Sequence, residues 1–229
     1  MKTKIISLLL IFVACTFSFA DDLAKAKTSK KEIRESLLEN VDKTAKNGDI
    51  TIKIPDSAPK GLESRYLSPY LAILLTYVDP DMDFEKFSEK MNKGASNKIA
   101  SIMAVSKAYL ASKNIKLKMI SFSANNVRMK LDEGLPLFAY VSADNPSYEK
   151  IALRTKDRPE EAEKMAEWTK ILKKNEVKSF KKGRIWSDTM ISGYNKQTGE
   201  YLMWYGAEPI WISEAELKKA LNELYQVSF

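Results

Sequence analysis

The spacing of apolar and polar positions changes several times along the chain, and each change predicts an element. Ile33, Leu37, Leu38, Val41 and Ala45 recur at helical spacing. They follow Ser29-Lys30-Lys31-Glu32, where the serine can cap the third amide and the glutamate can reach back, and Asn47-Gly48 ends the repeat. The expectation is a helix over residues 29–47. Ile50 to Ile54 alternates as a half-buried strand and stops at Pro55; residues 55–64, with two prolines and a glycine, read as a loop. Ser68-Pro69 is a helix start, because serine caps and proline costs no hydrogen bond in the first turn. Tyr70 to Val78 is apolar nearly all round, so this helix is expected to be central and buried.

Short helices follow. One covers Asp83 to Met91 and is closed by Gly94. The next is capped by Ser96, with Ile99, Ile102, Met103, Ser106 and Leu110 inward and Val105 at the flank. Ile115 to Phe122 reads as a strand, 124–132 as a helix ending at Gly134, and Leu135 to Val141 as another strand. Residues 142–184 are more polar and form a helical insertion. Its helix runs from Pro159 to about Lys174, with Met165, Trp168, Ile171 and Leu172 on one face. Thr189–Asn195 and Glu200–Tyr205 form a hairpin around Lys196-Gln197-Thr198-Gly199. Ser213-Glu214-Ala215-Glu216 is a second capping box, opening a helix with Leu217, Leu221 and Leu224 inward; Tyr225 to Phe229 reads as a final strand. Helices come first and the antiparallel pairing late, which predicts an α+β fold in a single domain over residues 21–229.

Composition narrows the chemistry. The 229 residues include no histidine and one cysteine, Cys15. That excludes a Ser-His-Asp triad, a Cys-His dyad, imidazole metal ligands and any internal disulfide, and no metal or cofactor is expected. Lys2 and Lys4, the ten-residue apolar run Ile5–Ala14 and Ser18-Phe19-Ala20 read as a secretory signal over residues 1–20. The run is too short to cross a bilayer core of about 30 Å. The expected product is exported to the periplasm, envelope or medium, with no integral membrane span. A second reading lipidates Cys15, since Phe12-Val13-Ala14-Cys15 loosely resembles a lipobox. Losing the two signal lysines leaves 35 basic against 30 acidic residues, a mature net charge of +5 with neither Cys nor His.

The densest positive region is Lys170–Arg184, including Lys173, Lys174, Lys178, Lys181 and Lys182. It reads as a solvated face, or as a weak attraction to an anionic envelope. Nucleic acid is not an expected partner, because the charge is modest and no stacking-platform motif is present. Asp79, Asp81 and Asp83 alternate like a calcium loop, but the twelfth position is Lys90 rather than Glu, so the expectation is a helix-capping turn.

The segments "IKIP", "SPYLAILLTYV", "LDEGLPLFAYV", "DTMISGYNKQTGEYLMWY" and "WISEAELKKAL" lie in that order within residues 50–224. In that order and spacing they resemble the papain-like cysteine peptidases, in particular the bacteriocin-leader-cleaving peptidase domain. The resemblance implies a papain-like fold whose N-terminal helices pack on a late antiparallel sheet. It also implies a nucleophile at the head of the central helix, which falls on Tyr66, Leu67 or Ser68, none of them Cys. The family's His falls on Ser187, with Asp188 beside it; no Gln lies between Asp49 and Pro69, and Glu208 is the acid nearest the end of the return strand. A thiol mechanism needs a sulfur and a base, and both are replaced.

Three functions follow as expectations. The first is a non-catalytic exported protein that holds a peptide or protein partner in the former substrate cleft, with Tyr66, Ser68, Trp186, Ser187, Asp188, Trp204, Tyr205 and Trp211 as candidates. The aromatic members suit partner anchoring and hairpin packing alike. The second is a hydrolase with Ser68 as nucleophile and Asp188 as base, which would need burial to raise the carboxylate. The third is a structural envelope accessory protein with the cleft filled by side chains.

Overall fold

The computed structural model describes residues 31–42, 48–62, 64, 66–96, 98–142, 158–172, 179–181 and 184–229. The chain divides into two compact units, Met1–Ser36 and Leu37–Phe229. In the first, the described backbone belongs to helix α1 (residues 31–39, continuing into the second unit) and carries the ion pair Lys31–Glu35 one turn apart at 3.7 Å. The signal, its cleavage site, Cys15 and Ser29 lie outside the described residues. The helix expected to reach residue 47 ends at 39, because Val41 and Asp42 form a strand, β1, paired with β2 (Asp49–Ile52).

The second unit is α+β. Its sheet has nine strands among the described residues, and every pairing is antiparallel. The centre is β6 (Arg184–Asn195). Ile191 pairs with Leu137 of β4 (Leu137–Ser142) and with Met203 of β7 (Glu200–Tyr205), while Gly193 pairs with Thr51 and Leu202. So β4 and then β2 run along one edge of β6. Along the other run β5 (Ser179–Lys181) and then β7. β8 (Glu208–Ser213) pairs with β7, and β9 (Leu221–Ser228) lies between β4 and β3 (Lys116–Ile120).

Helix α2 (Pro69–Val78) follows from its sequence. Ser68 is extended and accepts from the amides of Tyr70 and Leu71, Pro69 occupies the first turn, and Asp79 closes the helix. Leu71 to Leu75 have no exposed surface, and α2 packs on β4 and β6. Each such fully buried Leu or Ile contributes about 1.5–3 kcal/mol, which makes α2 the main apolar anchor of the sheet. Burial raises the Tyr77 phenol well above its ordinary pKa, with Glu161 adding to the effect, and its hydroxyl donates to the Lys53 carbonyl.

α3 (Phe84–Gly94) and α4 (Ile99–Ala111) pack on each other. Asp83 caps α3 by accepting from the Lys86 amide, and Asp79 pairs with Lys113 at 2.6 Å, so two acids of the expected capping turn have structural partners. α4 departs from expectation at its start: its cap is Lys98, with no side-chain bond, while the Ser96 amide donates to Ser101 Oγ. Ser101 Oγ also donates to Gly94 O, so it ties the preceding turn rather than capping α4.

α5 (Ala124–Asp132) leads into β4 through Gly134, whose φ is +78°. α6 (Pro159–Leu172) buries Met165 and Trp168 as expected, but Ile171 is 43% exposed. The side chain of Leu172 lies outside the described residues; the Trp168 indole donates to Pro55 O one turn before Ile171. α7 (Glu214–Ala220) begins with the expected capping box, Ser213 and Glu216 bonding reciprocally, but ends seven residues later. Leu221 and Leu224, expected on a helix, are in β9, where both neighbouring strands pair with the segment.

Candidate functional site

The resemblance puts its chemistry at the head of α2 and the start of β6. Two hydrogen bonds tie these elements to the same strand end. Tyr70, in the first turn of α2, donates its hydroxyl to Gly206 O at 2.6 Å, just past β7. Thr189 of β6 donates to the carbonyl of Trp204, two residues earlier on β7.

At that junction the side chains have structural assignments. Ser68 is 9% exposed, and its Oγ accepts from Tyr70 N at 3.2 Å and Leu71 N at 3.5 Å. Among the described residues these are the hydrogen bonds of its Oγ, and neither is to a base. Leu67 is wholly buried, which removes it as a reactive position. Tyr66 is half-buried, and its amide donates to Ser64 Oγ.

Ser187 and Asp188 are adjacent in a strand and therefore point to opposite faces. Among the described residues Ser187 Oγ reaches the Asp188 carbonyl, at 3.5 Å. Asp188 sits opposite Tyr140, which sits opposite Glu223. The rings of Phe138, Tyr140 and Tyr225 pack together on this face, at 5.1 Å for Phe138–Tyr140 and 6.4 Å for Tyr140–Tyr225. Lys107 of α4 covers the Tyr225 ring at 5.4 Å. Burial raises the Tyr140 phenol well above its ordinary range, with the charges of Asp188, Tyr225 and Glu223 acting in the same direction. Asp188 is thus part of a carboxylate-tyrosine row across three strands.

The expected aromatic cluster separates. Trp204 has no exposed surface and donates to Ser192 Oγ at 2.9 Å, so it is a core residue and is withdrawn as a ligand contact. Trp211 is half-buried on β8, opposite Leu202. Trp186 pairs with Ser142 and Ser179, and Tyr205 with Glu208; their side chains lie outside the described residues. Glu208 is exposed at the start of β8. Part of the basic stretch Lys170–Arg184 also lies outside them. Among the described residues, no group of three His, Cys, Asp or Glu can hold a metal, and no helix is long and apolar enough to cross a membrane.

A second feature had no signal in the sequence reading. On the sheet face covered by α5 lies an open groove of about 650 Å³, lined by Leu38, Arg128, Met129, Asp132, Tyr194 and Lys196 among others. Arg128 and Asp132 are one turn apart on α5 and so share a helix face. The Arg128 guanidinium lies over the rings of Tyr194 (5.7 Å) and Tyr201 (5.8 Å), which pair across β6 and β7. Tyr194 donates to Asp132 at 2.9 Å. Burial first, and then this bond to a carboxylate, push the Tyr194 phenol up to about 12. The i, i+4 pair on α5 was readable, but its two tyrosine partners come from a hairpin more than sixty residues on. No protein-family model and no curated protein matches this chain.

Proposed function

We propose that this is a non-catalytic, exported protein of papain-like build that holds a peptide or protein partner at the junction of α2 and β6. The observation that carries the reading is the state of Ser68: it heads the buried helix where a nucleophile would stand, yet its oxygen is committed to two backbone amides. The order of the segments along the chain supports the papain-like comparison. The antiparallel pairing of β2 with the Gly193-Tyr194-Asn195 end of β6 supports it too. Among the candidate aromatic side chains that are described, half-buried Tyr66 and Trp211 can anchor a partner, while Trp204 is sealed in the core.

The test uses the full chain, immobilised, and a random heptapeptide mixture. Sequence-selective retention that falls at least tenfold in Tyr66→Ala or Trp211→Ala supports the reading. Retention unchanged in both variants, or turnover that vanishes in Ser68→Ala, overturns it.

A further inference from the structure

The groove beside α5 has a charge arrangement that its own residues do not complete. Glu133 at its edge is matched by Lys130 at 2.6 Å. Asp132 accepts from Tyr194 and is the remaining carboxylate. Against it stand two cations. Arg128 lies over two tyrosine rings, the Tyr201 hydroxyl is within its hydrogen-bonding influence, and its buried Nε has no hydrogen-bond partner among the described residues. Lys196, exposed in the β6–β7 turn, makes no ion pair among the described residues. The groove therefore carries one uncompensated positive charge among its described residues. Arg128 is half-buried, so a charge-assisted bond from its terminal nitrogens to a ligand gains more here than at an open surface.

Two further features narrow the ligand. Leu38 is 50% exposed and Met129 is 49% exposed, and both line the groove. An apolar pair beside an unmet cation fits a ligand with an anionic end next to an apolar group. The volume lies within the range of small-ligand sites and accommodates a few residues of peptide. Asp132 and Glu133 repel a dianion such as a phosphate but can accept from peptide N–H groups, and Asn125 can both donate and accept.

We propose that this groove binds the C-terminal end of a peptide, with the terminal carboxylate on Arg128 and an apolar last side chain against Leu38 and Met129. Tyr194 and Tyr201 hold the guanidinium by their ring faces, with the Tyr201 hydroxyl beside it, and its remaining terminal donors suit a carboxylate. The proposal rests on the groove alone and does not depend on the peptidase-like reading, whose residues lie at the α2–β6 junction.

Fluorescence polarisation on the full chain tests it, with a labelled pentapeptide Gly-Ala-Gly-Ala-Leu as free acid and as C-terminal amide. The free acid is expected to bind at least tenfold more tightly, the loss of one charge-assisted hydrogen bond. In Arg128→Gln the two peptides should bind within twofold of each other. Lys196→Gln, at an exposed side chain with no ion pair among the described residues, should weaken the free acid about threefold and the amide little. It keeps the test decisive if Arg128→Gln fails to fold. Equal binding of acid and amide to the natural chain overturns the proposal, as does a preference that persists in folded Arg128→Gln or an unchanged affinity in Lys196→Gln. Dodecanoate binding more tightly than the peptide, with the same Arg128 dependence, also overturns it and identifies a fatty-acid site.

Discussion

Replacing Ser68 separates its two roles more cleanly than any other change at the α2–β6 junction. If Ser68 is a helix cap, Ser68→Ala removes the acceptor for two amides at the start of the most buried helix. The bond to Tyr70 N is 3.2 Å, while the one to Leu71 N, at 3.5 Å, is at the limit of a hydrogen bond. One good bond and one weak one place the cost near the middle of the usual cap range, at about 1 kcal/mol. The same loss lowers the melting temperature of a chain of this size by roughly 2–4 °C. Ser68→Gly should cost only a few tenths of a kcal/mol, and Ser68→Thr should stay close to the natural chain. Urea unfolding followed by circular dichroism reads this series. The midpoint should fall in the order Thr, Gly, Ala, with no change in slope, because the surface exposed on unfolding is the same. A Ser68→Ala midpoint equal to that of the natural chain would show that the cap contributes nothing and refute the reasoning.

Two other outcomes follow from the same geometry. Gly134→Ala should destabilise by well over the ~1 kcal/mol that a left-handed backbone alone costs a non-glycine residue, because a Cβ there would stand 2.0 Å from the Leu37 carbonyl oxygen. Differential scanning calorimetry measures it, and a melting temperature within 2 °C of the natural value, on the scale of about 2–4 °C per kcal/mol, would contradict the close approach. Tyr194 keeps its proton to about pH 12 when folded, whereas an exposed tyrosine in the unfolded chain releases its proton near 10. Its contribution to stability is therefore full below pH 10 and lost as the pH rises to about 12, since the unfolded state then binds fewer protons. Tyr194→Phe should flatten that decline in urea midpoints taken from pH 8 to 12, and an identical pH profile would falsify the assignment.

Local signals in the sequence located the elements whose chemistry is itself local. Ser68-Pro69 opens α2, Ser213 and Glu216 box the start of α7, and the turn at 196–199 joins β6 to β7, because each is set by a few adjacent backbone groups. Misreadings arose where distant pairing decided. Val41 fits a helical repeat, but its partner Ile52 makes it a strand; Leu221 and Leu224 continue the spacing of Leu217, but β4 pairs with both and β3 with Leu224. Trp204 reads equally as core or contact from sequence, and only its bond to the bulged Ser192 and its full burial decide. The α5 groove was hidden for the same reason. Arg128 and Asp132 are ordinary surface residues until the hairpin brings Tyr194 and Tyr201 beneath them.

The central claim is that the chain keeps a binding junction without bond-breaking chemistry. Mass spectrometry of a random heptapeptide mixture, incubated with the full chain and then eluted from it, tests both halves in one measurement. The account expects a selected subset of peptides recovered at full length. New peptide termini that appear with the natural chain and disappear with Ser68→Ala would contradict it.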